Sequence, residues 1–163
     1  MKARRGDLSG PVLAILVTLV LLAIGAALIA YFTLFTGQAP SPVLAVKDQP
    51  VAYKVGATND VRVEVVVANL GSASVTLHSG ETRLRIVSPS TLVNDLGIGV
   101  ERTLGSSPTI APGESKTLTF TFGGEWPKFA PHRSAGAVLI VKDTAGNTIG
   151  QFEVRIRIVG GGG

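Results

Sequence analysis

Cysteine is absent from this chain, methionine occurs only as Met1, and histidine occurs twice, as His78 and His132. Without cysteine there is no disulfide to brace an exported domain, no thiolate nucleophile and no thiolate metal centre. Neither histidine has a second ligand near it in sequence, and Asp60, Glu64, Asp95 and Asp143 do not fall into calcium-loop spacing, so no metal is expected. Gly97-Ile98-Gly99 and Gly123-Gly124 lack the strand-to-helix setting of a phosphate loop, so no nucleotide cofactor is expected either. Gly105-Ser106-Ser107-Pro108 has no nucleophile elbow around it. With no catalytic constellation, the chain does not read as an enzyme. No Asn-x-Ser/Thr triplet occurs, so N-linked glycans have no acceptor of that kind.

The widest gap is in charge. None is present from Leu8 to Val46, and the run Pro11 to Phe35 is apolar on every side, with only Thr18 and Gly25 interrupting its core. As a helix of about 25 residues it reaches roughly 37 Å, more than the ~30 Å hydrocarbon core of a bilayer. A helix apolar all round has to be buried all round, in lipid or in protein. The rest of the chain is too small and too polar to enclose it. Basic residues do occur just ahead of the run, at Lys2, Arg4 and Arg5. They favour a cytoplasmic N-terminus and an exported C-terminal domain. From Asp7 onward 12 Lys and Arg face 11 Asp and Glu, so the formal charge of +4 is mostly this N-terminal cluster and gives no reason to expect nucleic acid.

Three fates of this segment are distinguishable. A cleaved secretory signal has an apolar region of about 7–15 residues, shorter than this one. An uncleaved anchor needs nothing special at its boundary and would leave a single-span surface protein with an extracellular binding domain. The third fate uses the boundary residues themselves. Arg4-Arg5-Gly6-Asp7-Leu8-Ser9-Gly10-Pro11-Val12 resembles the leader of archaeal type IV pilins and archaellins, over roughly residues 2–35. The resemblance implies processing at Arg4, Arg5, Gly6, Asp7 and Leu8, with a prepilin peptidase cutting between Gly6 and Asp7 on the cytoplasmic side. Gly6 lets the scissile carbonyl approach a protease closely, and the arginines hold the site at an anionic membrane face. The helix stays on the mature chain. The family implies a structural role, polymerising with identical subunits into a helical extracellular filament for adhesion or motility, after passage through the membrane and with the help of a pilus assembly machinery. Bacterial pilins usually carry Glu at the fifth mature position. Pro11 stands there in this chain, which favours the archaeal branch.

In a filament as in lipid the helix surroundings are apolar, so close packing decides between them. Ala14, Ala23, Gly25, Ala26, Ala27 and Ala30 offer small surfaces for such packing. After the helix, Gly37, Pro40 and Pro42 mark a connector over residues 37–42. From Val43 the pattern has period two: Val61, Val63, Val65 and Val67 alternate with Arg62, Glu64 and Val66, and Leu118, Phe120 and Phe122 alternate with threonines. Nine strand-like stretches argue a two-sheet sandwich. The organisation expected is a leader 1–6, a helix 7–36, a connector 37–42, a β head 43–159 and a glycine tail 160–163. The fold class is α+β, a long N-terminal helix followed by an all-β, immunoglobulin-like sandwich. The loop Gly123 to Arg133 holds the only tryptophan. Trp126 and Phe129 suit either a plug at one end of the sandwich or a subunit contact.

Overall fold

A computed structural model describes residues 10–36 and 40–160, with side chains for 10–31 and 40–160. It divides into two compact units between Ala39 and Pro40. The first holds one helix, α1 (Gly10–Thr36), 27 residues dominated by Leu, Ile, Val and Ala, with no acid in its first turn and no base in its last. Pro11 sits in the first turn, where its missing N–H costs nothing. Thr18, the hydroxyl in the middle of the run, donates from Oγ1 to Ala14 O at 2.8 Å, so that group needs no outside partner in an apolar medium. The segment Gly10–Tyr31 is long and apolar enough to cross a membrane, and none of it is buried within the chain.

The second unit is sheet-rich. Its strands are β1 (Leu44–Val46), β2 (Val51–Lys54), β3 (Val61–Asn69), β4 (Val75–Thr76), β5 (Arg83–Ser88), β6 (Glu101–Thr103), β7 (Thr109–Ile110), β8 (Ser115–Phe122), β9 (Ser134–Lys142) and β10 (Thr148–Val159). Helices α2 (Ser90–Leu96) and α3 (Trp126–Phe129) interrupt them, and Gly97–Val100 forms a 3-10 turn. Eight strands hydrogen-bond into one mixed sheet, and β4 and β7 make a separate two-stranded pair. One edge of β3 carries β2 along Val61–Glu64 and β1 along Val67–Asn69, while β8 runs along its other edge. β2 presents its second edge to β10, in parallel, and β9, β5 and β6 follow antiparallel.

Alternation along these strands sends one face inward. Val61, Val63, Val65 and Val67 of β3, Phe120 and Phe122 of β8, Leu84 and Ile86 of β5, Leu139 and Val141 of β9, and Ile156 of β10 all join one buried core. Each such side chain contributes ~1.5–3 kcal/mol by leaving water. The opposite face carries Arg62 and Glu64, Thr117, Thr119 and Thr121, and Glu153, Arg155 and Arg157.

The head is not all-β, as its sequence pattern suggests. Ser90–Leu96 is helical because Leu92 and Leu96, four apart, both reach the core and so share a helical face. Gly97 then turns the chain at φ +55, a conformation that favours glycine. The next strand, β6, therefore begins only at Glu101. The sheet is also continuous where two were expected, because β2 bonds to strands on both of its edges.

Candidate functional site

The candidate packing residues Ala14, Ala23, Gly25, Ala26, Ala27 and Ala30 all lie on α1. At about 100° per residue they do not form one stripe. Ala14 and Gly25 fall with Thr18 on one side of the helix. Ala23, Ala26, Ala27 and Ala30 fall on the opposite side and nearer its C-terminal end. A side-chain carbon built on Gly25 meets nothing within 4 Å among the described residues of its own unit, so the helix itself does not restrict that position to glycine. Arg4, Arg5, Gly6, Asp7 and Leu8, the expected processing residues, lie outside the described residues.

Within the second unit, its first residues are fastened to the turn after β3. Leu70 N–H donates to Val43 O at 2.7 Å and Ser72 N–H to Ser41 O at 3.1 Å. Glycine is required at Gly71, since a side chain there would run into the backbone of Ser41 and Val43. Asn69, wholly buried at 0% exposure, organises the junction. Its Oδ1 accepts from Gly71 N–H at 3.0 Å and from Val43 N–H at 3.3 Å. Its Nδ2 donates to Ala73 O at 2.7 Å and to Ile110 O at 3.1 Å. Its backbone N–H donates to Glu114 O, and its carbonyl accepts from Gly113 N–H. Every hydrogen-bonding group of this buried amide is thus engaged, as burial demands. Of the expected connector 37–42, residues 37–39 lie outside the described residues, and Ser41 and Pro42 fall in the second unit.

Trp126 and Phe129 fall in α3, one helical turn at the end of the core. Phe129 is fully buried, its ring centroid 5.3 Å from that of Phe122. It has no surface to offer a partner, so the subunit-contact expectation does not hold for it. Trp126 is half-buried, packed against the core, with its indole about 3.8 Å from where a side chain on Gly160 would begin. Arg102 closes the same end. Its guanidinium lies 4.9 Å from the Phe122 ring centroid and donates from Nη1 to Gly99 O at 3.0 Å and Glu101 O at 2.9 Å.

Among the described residues there is no group of three or more His, Asp or Glu able to hold a metal ion. His78 serves a turn, its Nδ1 accepting from Gly80 N–H at 3.2 Å. Asp143 shapes the β9–β10 turn. Its Oδ2 accepts from Asn147 Nδ2 at 3.1 Å, and its Oδ1 accepts from the N–H groups of Asn147 and Ala145 at 2.8 and 3.0 Å. The Asn147 side-chain hydrogen bond, followed by these backbone donors, holds the Asp143 carboxyl below the usual carboxylate range. On the outer sheet face the Tyr53 hydroxyl donates to Glu64 Oε1 at 2.6 Å, which raises the phenol's pKa.

Asn69 was not legible as a hub. In sequence it reads only as the start of the turn Asn69-Leu70-Gly71, and its side-chain partners come from residues up to 41 positions away.

No family model and no curated protein matches the chain. Solved structures that align with it include a β-glucosidase from Erythrobacter marinus, a FixG-related protein from Vibrio parahaemolyticus and the ApaA protein from Bordetella pertussis. They are 18%, 13% and 16% identical, cover 72%, 74% and 71% of this chain, and have TM-scores of 0.36, 0.35 and 0.34. The chain spans 16% of the β-glucosidase and 99% and 95% of the other two. Likeness at this level carries no argument about fold or activity.

Proposed function

We propose that this chain is a structural subunit of an extracellular filament of the archaeal type IV pilin kind, polymerising through α1 and serving adhesion or motility. The observation that carries the reading is the helix. Gly10–Tyr31 is apolar on every side and unburied by the rest of the chain. Lipid can cover such a surface before assembly, and identical helices can cover it afterwards. The small residues on two opposite sides support contact with two different neighbours at once. Unlike faces meeting head to tail generate an open helical polymer instead of a closed ring. In this proposal the head is an immunoglobulin-like sandwich folded from the one continuous sheet, with β1, β3 and β8 as one layer, β10, β9, β5 and β6 as the other, and β2 bridging them. On this reading the precursor is held in the membrane, trimmed between Gly6 and Asp7, and displayed on the filament surface by its head.

Mass spectrometry of the native N-terminus, with electron microscopy of fibres sheared from cells, tests this. A chain beginning at Asp7 within helical fibres is the expected result. An intact Met1 and no fibres would sink the proposal and leave the single-span anchor with an extracellular binding domain.

A further inference from the structure

The outer face of the sheet carries an open notch with Gly136 as its floor and Ser88, Pro89, Ser134 and Arg155 around it. Three local features build it. The register of β5 on β9 slips between Ile86, opposite Ala137, and Ser88, opposite Gly136. Strict alternation would send Ser88 to the core side with Leu84 and Ile86, and the extra residue, Val87, turns it outward instead. Gly136 then donates its N–H to Ser88 Oγ at 3.1 Å, which leaves the Ser88 hydroxyl proton for another acceptor. Any side chain at position 136 would collide with Ser88 Oγ. Finally Arg155, opposite Gly136 on β10, leans over Ser134, with Nε and Nη2 at 3.4 and 3.3 Å from its Oγ. Those bonds are long, and Nη1 has no partner among the described residues.

The surroundings are basic. Arg83 is engaged by Glu101 at 3.0 Å, but Arg85, Arg155 and Arg157 are exposed and take part in none of the ion pairs among the described residues. Glu153 is the unpaired carboxylate standing among them. Arg155 and Arg157, two residues apart on one strand face, are separated by about 7 Å.

We propose that this notch binds a carboxylate of an acidic polysaccharide. Arg155 presents a planar fork to the carboxylate, the Ser88 and Ser134 hydroxyls donate beside it, and Arg157 and Arg85 take neighbouring acidic groups along the polymer. An open site beside a row of cations suits repeated acids better than one small enclosed anion. No aromatic or large apolar anchor lines the notch, which disfavours a protein partner. Nor is there an aromatic platform for bases, and from Pro40 onward 12 basic side chains face 10 acidic ones, which disfavours nucleic acid. The site is independent of polymerisation and stands whether the chain is a filament subunit or an anchored monomer.

The test is calorimetric titration of the full chain, in detergent micelles, with polygalacturonate, neutral dextran, polyglutamate and single-stranded oligothymidine. Polygalacturonate is expected to bind and dextran not to. Arg155→Ala should weaken binding at least tenfold. Arg155→Lys, which keeps the charge and loses the fork, should fall between the two. Lys54→Ala, exposed on another strand, should leave it unchanged. Absence of binding by the native chain overturns the proposal. So does equal weakening by Arg155→Ala and Lys54→Ala, or binding of polyglutamate or oligothymidine as tight as that of polygalacturonate.

Discussion

Replacing Asn69 with alanine should unfasten the start of the head from its own core. The side chain makes three bonds of 2.7 to 3.1 Å and a weaker one of 3.3 Å to Val43 N–H. About 1 kcal/mol net for each of the three shorter bonds, with roughly 0.5 kcal/mol for the longer one, gives a loss of about 3–4 kcal/mol. A folded unit of about 120 residues gains ~2.1 cal/mol/K of entropy per residue on unfolding, or ~0.25 kcal/mol/K in all, so Tm should drop by about 12–16 °C. Urea and thermal unfolding of the full chain in detergent, followed by near-ultraviolet circular dichroism, measure the two quantities, with exposed Asn94→Ala as a control expected within ~0.5 kcal/mol of the native protein. A loss below ~1 kcal/mol for Asn69→Ala would show that water replaces the amide at little cost, and the hub would then be no more than a turn residue.

Phe129→Ala empties a fully buried ring site beside Phe122 and should cost ~3–5 kcal/mol, measured by the same unfolding assay; a loss under ~1 kcal/mol would mean that α3 is not part of the core. The Asn147 hydrogen bonds hold the Asp143 carboxyl below its ordinary value of 3.8 in the folded state, so its contribution to stability is complete above that value and is lost as pH falls through the lower folded one. Thermal unfolding between about pH 5 and pH 2 should therefore be less pH-sensitive in Asp143→Asn than in the native chain, and identical slopes would refute the assignment. Gly25→Leu should leave membrane insertion intact, because leucine is as apolar as the rest of the helix surface and meets nothing within α1, yet reduce fibre yield in sheared preparations. Normal fibres would show that this side of the helix is not a contact.

Period-two patterning made most of the head legible. Val61–Val67 and Leu118–Phe122 declare their inward faces because a sheet with one buried side admits no other arrangement of those residues. The apolar helix was legible for the same reason, since its surface excludes water on every side. What stayed hidden depends on residues distant in sequence. Leu92 and Leu96 are only two apolar positions, too few to establish a helical period in isolation. The two-residue strands β4 and β7 have pairing partners and no pattern. The bulge at Val87 and the bare floor at Gly136 read as ordinary strand interior until β5 and β9 are placed side by side. Asn69 likewise acquires its role only when Val43, Ala73 and Ile110 converge on it.

The parallel pairing of β2 with β10 bears on when the head can fold. Val51–Tyr53 bond to Arg157–Val159, so the second strand of the chain waits for the last one. Until those residues are available, one edge of β2 stands open, and open edges are where chains join wrongly. Contacts this remote in sequence also form slowly, because the whole intervening loop must be ordered first. A ribosome or export channel delivering the chain from its N-terminus therefore releases the head incomplete until almost its last residue, and a head truncated before Arg157 should aggregate instead of folding with lower stability.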